Sequence, residues 1–183
     1  LNVVRHYKEE STDLYALNDK SIRAVCKDRE GNLWVGTVHE GVYVFYKNTA
    51  EINYFYPASK YPQASQRLRT IVEDPEGTIW MGSENGGLKR YNPQTGVLEK
   101  VRLPIKTDNI LALKVQGPYL WVGSYSFTDP LARLNRKTLA VETFPEFSRC
   151  VYHIEDYAQD TLMVSNRNGI SFIDLASGKP KEF

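Results

Sequence analysis

Cysteine, an excess of charge of one sign and long apolar runs are all scarce in this 183-residue chain. Cys26 and Cys150 are the only cysteines, and they fall in corresponding predicted strands far apart in the chain. We therefore expect two free, buried thiols. The 23 basic and 22 acidic residues leave a net charge of +1, which argues against a nucleic-acid partner. No apolar run approaches the ~18 residues that a membrane span requires.

Motifs of catalytic and metal centres are also missing. The chain has no Gly-x-Ser-x-Gly elbow and no phosphate-binding glycine loop. Its three histidines are His6, His39 and His153, which fall in separate parts of the predicted structure rather than in a metal-like cluster. We therefore predict no metal and no cofactor. The adjacent pair His39-Glu40 is the one combination suited to acid–base chemistry, and it stays an open alternative.

A repeated motif is the dominant feature of the chain. One copy reads Asp28-Arg-Glu-Gly31-Asn-Leu-Trp34-Val-Gly36-Thr37, and the next reads Asp74-Pro-Glu-Gly77-Thr-Ile-Trp80-Met-Gly82-Ser83. A shorter third copy ends in Trp121-Val-Gly123-Ser124, and a fourth has Met163 in place of tryptophan. The steps are 46, 41 and 42 residues. A repeat of this length with β-type patterning predicts propeller blades.

Each repeat predicts a meander of four short strands separated by Gly, Pro and Asn turns. The predicted fold is an all-β propeller of four-stranded antiparallel blades, as a partial ring. The segments are an outer strand of a preceding blade at 1–8, blades at 18–57, 67–103 and 109–145, and an incomplete blade at 149–183. We expect the chain to be a piece of a longer protein whose other blades complete the ring. Pairing of the first strand with the incomplete blade, to close four blades, is the alternative.

The residues that recur in every repeat are predicted to be structural. The aspartates accept backbone N–H bonds across a turn that the first glycine closes, and the tryptophans fill the space between neighbouring sheets. This structural set comprises Asp28, Gly31, Trp34, Gly36, Asp74, Gly77, Trp80, Gly82, Gly87, Trp121 and Gly123.

These motifs resemble the two-component regulator propeller repeat, whose pattern runs Asp-x-x-Gly-x-Leu-Trp-Ile-Gly-Thr followed by a Gly-Gly-Leu turn. The copies that begin at Asp28 and Asp74 match at nearly every position, whereas the third and fourth copies match weakly. The resemblance implies the periplasmic sensor region of a Bacteroidetes-type hybrid histidine kinase anchored in the inner membrane. It further implies the remaining blades and a β-sandwich domain in the same chain, a homodimeric receptor, and an oligosaccharide or other small ligand. Kinase activity would belong to domains outside this segment.

Candidate ligand residues are those that depart from the repeat. Loops that join the second to the third strand, and the outermost strand to the next blade, gather on one face of a propeller. Aromatic rings beside carboxylate, amide and guanidinium groups there suit a saccharide. The predicted set is Tyr61, Arg67, Glu84, Asn85, Asp108, Tyr125, Phe127, Arg149 and Arg167. The insertion Tyr125–Asp129 is the sharpest departure.

Two other functions stay open. A propeller hydrolase or lyase would need a catalytic cluster near the ring axis; the aspartate motif differs from the sialidase box by one residue in its Asp-to-Gly spacing. A protein-interaction scaffold would self-associate without a ligand. The sequence favours a non-catalytic sensor over both.

Overall fold

The computed structural model describes residues 17, 19, 21–49, 52–55, 67–147 and 150–181. These residues form fifteen β-strands and no helix. It follows that no helix in this part of the chain is long and apolar enough to cross a membrane.

The strands form four antiparallel sheets in chain order. The first contains β1 (Ile22–Lys27), β2 (Leu33–Thr37), β3 (Val42–Phe45) and β4 (Ile52–Phe55). The second contains β5 (Leu68–Glu73), β6 (Ile79–Ser83), β7 (Gly87–Asn92) and β8 (Val97–Val101). The third contains β9 (Ile110–Gln116), β10 (Tyr119–Ser124), β11 (Leu131–Asn135) and β12 (Val141–Thr143). The fourth contains β13 (Val151–Ala158), β14 (Thr161–Asn166) and β15 (Gly169–Asp174).

The sheets stack face to face, with the first strand of each sheet beside the first strand of the next. Thus β1 contacts β5, β5 contacts β9, and β9 contacts β13. This is the blade arrangement of a propeller, with these four strands nearest the axis. Each junction encloses an apolar core, and its centre is a tryptophan of the repeat: Trp34, Trp80 and Trp121 respectively.

The second glycine of the motif is required by the closeness of this stacking. A Cβ atom on Gly36 would lie 2.4 Å from Leu68 Cδ2, and one on Gly82 would lie 2.6 Å from Ile110 Cγ2. Gly123 meets Val151 in the same way. The first residue of each inner strand therefore occupies the space that a side chain on the preceding sheet would need.

The described sheets form an open arc, which confirms the prediction of a partial ring. The first sheet shows this directly, because Ile22 and Val25 are 40% and 58% exposed. Their counterparts in the second sheet, Leu68 and Ile71, are 4% and 6% exposed because they pack on the first sheet. The predicted outer strand at 1–8 lies outside the described residues.

The fourth sheet has the beginning of an outermost strand. Pro180 forms a bridge to Ile173, and the Lys181 N–H donates to the Phe172 carbonyl. Both cysteines are free, and Cys150 is buried as expected. Cys26 is only half-buried, where it packs against the core between the first and second sheets; that partial burial still raises the pKa of its thiol.

Candidate ligand site on the loop face

The repeat aspartates organise the turns that precede each tryptophan. Asp74 Oδ1 accepts the N–H groups of Glu76 (3.0 Å) and Thr78 (2.9 Å), in agreement with the predicted role. Asp74 Oδ2 also accepts the indole N–H of Trp80 at 2.8 Å. This second bond was not predicted, because the sequence does not show that the turn folds the carboxylate back onto the ring six residues later.

The first repeat contains the same bonds. Asp28 accepts the Asn32 N–H at 2.8 Å and the Trp34 indole N–H at 2.9 Å. Burial alone would raise the pKa of the Asp28 carboxyl, but these donors outweigh it and the pKa is lowered. The repeat aspartates are thus each bound to the turn and the tryptophan of their own sheet.

The opposite edge of the arc is the loop face, which we define by the β2–β3, β6–β7, β10–β11 and β14–β15 connections. It contains a depression of about 250 Å³. The lining residues come from three consecutive sheets: Arg69, Glu84, Asn109, Leu111, Tyr125 and Tyr152. A concave site lined by rings together with a few convergent polar groups is the usual form of a small-ligand site.

Glu84 is the charged centre of this depression. Arg69 Nη2 donates to Glu84 Oε1 at 2.7 Å, and Arg67 Nη1 lies 3.8 Å from Glu84 Oε2. The side chains of Arg69 and Glu84 are 31% and 26% exposed. Arg69 and Glu84 therefore form a partly desolvated ion pair in the wall of the depression.

Asn109 connects the second and third sheets beneath the loops. Its side-chain oxygen accepts the Asn85 N–H at 2.6 Å, and its carbonyl accepts the Tyr125 N–H at 2.9 Å. Asn85 has a φ of 59°, a conformation that asparagine tolerates better than most residues. Asn85 therefore shapes the β6–β7 turn, and Asn109 positions Tyr125 at the rim.

The insertion in the third sheet carries two exposed rings. Tyr125 and Phe127 are 44% and 56% exposed, and their centroids lie 5.9 Å apart in an edge-to-face arrangement. Buried Ser126 accepts the N–H groups of Thr128 and Asp129, which holds the loop in place. The Arg167 guanidinium lies 5.9 Å from the centre of the Phe127 ring.

The structure therefore places most of the predicted residues on one face. The described members that it brings together are Arg67, Glu84, Asn85, Tyr125, Phe127 and Arg167. Asp108 lies apart from the depression, in an exposed ion pair with Lys100 at 3.0 Å. Tyr61 and Arg149 lie outside the described residues.

Four lining residues were missed by the sequence analysis: Arg69, Asn109, Leu111 and Tyr152. Three of them lie in inner strands, where alternate side chains point towards the axis, and Asn109 directly precedes one of these strands. Large or polar side chains in strands that otherwise have a core-like pattern could have identified these lining residues from the sequence.

His39 has a structural environment. Asp19, which is 6% exposed, accepts the N–H groups of Ser21 (2.8 Å) and His39 (2.7 Å) and lies within 3.4 Å of the His39 ring. Burial opposes ionisation of Asp19, but these donors lower its pKa to about 2. The arrangement fixes the β2–β3 loop, and Glu40 contributes to it only through its backbone N–H. The described residues contain no group of metal-ligating side chains.

Comparison with protein families identifies the repeats. Residues 16–39 and 62–85 match the two component regulator propeller family. These two segments are therefore two component regulator propeller repeats, and the resemblance seen in the motifs is confirmed. A comparison with curated protein sequences finds no match.

Solved structures share the fold at low sequence identity. The extracellular domain assigned to the hybrid two component system BT3049 of B. thetaiotaomicron has a TM-score of 0.76 and 19% identity, over 91% of this chain and 25% of that chain. That of BT4673 has a TM-score of 0.75 and 17% identity, over 96% and 23%. An inactive virginiamycin B lyase from Staphylococcus aureus, solved with quinupristin, has a TM-score of 0.74 and 21% identity, over 92% and 58%. This chain thus spans about a quarter of the two extracellular domains.

Proposed function

We propose that this segment is part of the ligand-sensing, extracytoplasmic propeller of a two-component signalling receptor. The family match and the two extracellular domains of similar fold support a signalling propeller. The segment binds and does not catalyse; a histidine kinase elsewhere in the receptor supplies the output. The receptor lies in the inner membrane with this region in the periplasm, completed by further blades and a β-sandwich domain and paired as a homodimer.

The ligand that we propose is an oligosaccharide held in the loop-face depression. The observation that carries this is the placement of the half-exposed rings of Tyr125 and Tyr152 beside the Arg69–Glu84 pair. The faces of a sugar ring carry C–H groups that pack on aromatic rings, while its hydroxyls need donors and acceptors of the kind that these charged groups offer. The depression contains both kinds of surface within one cavity.

Signalling then follows from differential affinity. A ligand shifts an equilibrium between two receptor arrangements only if it binds one of them more tightly. The depression draws residues from three sheets, so its shape depends on how those sheets are stacked. A ligand that binds only one stacking geometry of the sheets therefore favours the dimer arrangement in which the sheets have that geometry.

The test is thermal unfolding of the complete extracytoplasmic region against a panel of oligosaccharides. A ligand at about 100 times its Kd stabilises the folded state by about 2.7 kcal/mol, which raises the midpoint by several degrees. Tyr125→Ala and Tyr152→Ala should remove the shift. Tyr157→Ala is the matched control, because Tyr157 is 57% exposed on the same inner strand as Tyr152 but does not line the depression.

Each other outcome identifies an alternative. Breakdown of a sugar during the measurement would support a hydrolase or lyase. No shift with any sugar, together with self-association that is independent of ligand and salt, would support an interaction scaffold. A shift that Tyr125→Ala and Tyr152→Ala leave unchanged would place the sugar elsewhere and overturn this site.

A further inference from the structure

The edge opposite the loop face contains two equivalent clefts between neighbouring sheets. We call this edge the turn face, defined by the β1–β2, β5–β6, β9–β10 and β13–β14 turns. The first cleft lies between the first and second sheets, and the second cleft lies between the second and third. The repeat places Asp28 and Glu30 in the first cleft where Asp74 and Glu76 stand in the second. Because the two clefts have the same fold, any difference between them comes from the residues that differ.

Two positions differ between the clefts, because Arg29 and Pro93 line the first cleft whereas the second has Pro75 and Arg136 in their places. Pro93 is the first residue after β7, and Arg136 is the first residue after β11. The β7–β8 and β11–β12 turns that begin there have the same geometry. Asn92 Oδ1 accepts the N–H groups of residues 94 and 95, and Asn135 Oδ1 accepts those of residues 137 and 138. Both turns end in a residue of positive φ: the angle is 66° at Gly96 and 60° at Leu139. Pro93 therefore occupies the place from which Arg136 extends.

Arg136 fills the second cleft with its own guanidinium group. Its Nη1 lies 3.3 Å from Asp74 Oδ2 and also pairs with Glu76, and its Nη2 donates to the Gly117 carbonyl at 2.8 Å. The arginine side chain is only 7% exposed. Two carboxylates and one turn carbonyl thus form a three-acceptor cradle, which suits the planar donors of arginine.

The first cleft has the same kinds of acceptor but no counterpart of Arg136, and its own arginine, Arg29, extends from the first sheet. Asp28, Glu30 and Gly77, the counterparts of the three acceptors, all line a cavity of about 300 Å³ together with Pro93. The rings of Trp34, Tyr46 and Tyr91 form its apolar wall. Tyr91 stands where the second cleft has Leu134, so the wall of the open cleft also carries a phenol group.

The charges around the first cleft leave it acidic. Arg29 is the nearest cation, but its Nε donates to Glu73 at 2.8 Å and its Nη2 donates to the Asp74 carbonyl at 2.7 Å. Lys47 lies beside Gly31 at the rim. Three carboxylates, those of Asp28, Glu30 and Glu73, therefore face two cations, Arg29 and Lys47.

We propose that the first cleft binds a guanidinium group supplied from outside this segment. Asp28, Glu30 and the Gly77 carbonyl accept its N–H donors, and the faces of Tyr46 and Tyr91 stack on its plane. The carrier is either a small guanidino compound or an arginine side chain of a partner, and both present the same chemistry. This site is independent of the oligosaccharide site, because it lies on the opposite edge of the arc.

The test uses N-acetyl-arginine amide as the probe and N-acetyl-citrulline amide as its neutral isostere, by isothermal titration calorimetry. We expect saturable binding of the arginine probe only. Pro93→Arg should abolish it, since the new side chain fills the cradle as Arg136 does, whereas Pro93→Ala should retain it. Glu30→Gln should weaken binding about tenfold, the loss expected for one charged hydrogen bond, whereas Glu76→Gln in the filled cleft should leave it unchanged.

The outcomes separate the carriers and can overturn the proposal. Equal affinity for the free probe and for a short peptide with a central arginine would indicate a small guanidino compound. Tighter binding of the peptide would indicate a protein partner. The proposal is wrong if neither arginine probe binds, if citrulline binds as well as arginine, or if binding survives both Pro93→Arg and Glu30→Gln.

Discussion

The second and third repeats use the same buried tryptophan in different chemical surroundings. Trp80 and Trp121 are each 1% exposed and each fills the space before the next sheet. The indole N–H of Trp80 is bound to Asp74, whereas that of Trp121 has no hydrogen-bond partner among the described residues. The difference shows that the repeat preserves the volume of the ring more strictly than its hydrogen bond.

The length of one turn explains the difference. The second repeat uses residues 74–78 to connect paired Glu73 and Ile79. The third repeat connects paired Gln116 and Tyr119 with only Gly117 and Pro118. Gln116 stands where the second repeat has Asp74, and its Nε2 donates to Asp156 Oδ1 at 3.4 Å. Instead the Arg133 guanidinium lies 5.3 Å from the Trp121 ring centre, and Glu142 anchors that guanidinium at 2.6 Å. A cation above the ring offsets part of the cost of the unpaired N–H.

Truncation of either ring should have the largest effect. Trp80→Ala and Trp121→Ala each remove a fully buried ring between two sheets, so each should lower the free energy of unfolding by about 3–5 kcal/mol. Urea unfolding of both variants measures this. A much smaller loss for Trp121→Ala would contradict the view that both rings serve chiefly by their volume.

Removal of the acceptor in the second repeat should have the next largest effect. Asp74→Ala leaves the Trp80 indole and two backbone N–H groups without their partner. It also takes one carboxylate from Arg136. We expect a loss of about 2–4 kcal/mol in unfolding free energy, since each buried unpaired donor costs about 1–3 kcal/mol. The matched change Asp28→Ala should cost less, because Asp28 is only half-buried; equal losses would refute the link to burial.

Acid should weaken the first sheet through the bonded carboxylates of Asp19 and Asp28, whereas the third repeat has Gln116 in the place of Asp28. The pKa of Asp19 falls from 3.8 to about 2 on folding, and that of Asp28 is also lowered. A depressed pKa gives stability that is complete above the unfolded value and is lost as the pH falls through the folded value. Asp19 alone should account for about 2 kcal/mol between these limits.

Urea midpoints measured from neutral pH down to about pH 2 test this prediction. Asp19→Asn should lower stability at neutral pH and flatten the acid limb of the profile. An acid limb as steep as that of the unmodified chain would show that Asp19 is not the titrating group.

Replacement of Trp80 or Trp121 by phenylalanine should have the smallest effect on stability. It separates the contribution of the indole hydrogen bond from that of the ring volume. Trp80→Phe loses the bond to Asp74, whereas Trp121→Phe loses no bond and removes an unpaired N–H. Trp80→Phe should therefore cost about 1 kcal/mol more than Trp121→Phe. Thermal unfolding of the two variants measures this difference. A larger loss of stability for Trp121→Phe than for Trp80→Phe would mean that the Trp121 N–H has an acceptor.

Much of the fold was predictable because the repeat is local. The strand, turn and return strand around Asp74, Gly77 and Trp80 depend on residues within ten positions of one another. The role of Gly82 was assigned correctly as structural, but its reason was not visible. The atom that excludes a side chain there belongs to Ile110, in the next sheet.

The candidate site was predictable only in part. Glu84 and Tyr125 stand out in sequence because they replace repeat residues in loops. Arg69 and Tyr152 lie in strands that read as ordinary core, and only the stacking of three sheets brings them to one cavity. Asp108 had the same loop signature as Glu84, yet its ion pair with Lys100 takes it away from the depression.

The sequence by itself determined the repeating unit and the all-β architecture, because these depend on patterns within each unit. The tertiary structure alone decided which side chains from different units meet. The Arg69–Glu84 pair beside Tyr152, and the contrast between Pro93 and Arg136 at the two clefts, arise between sheets. Contacts of that kind depend on the distance and angle of stacking, which side-chain packing at each tryptophan sets.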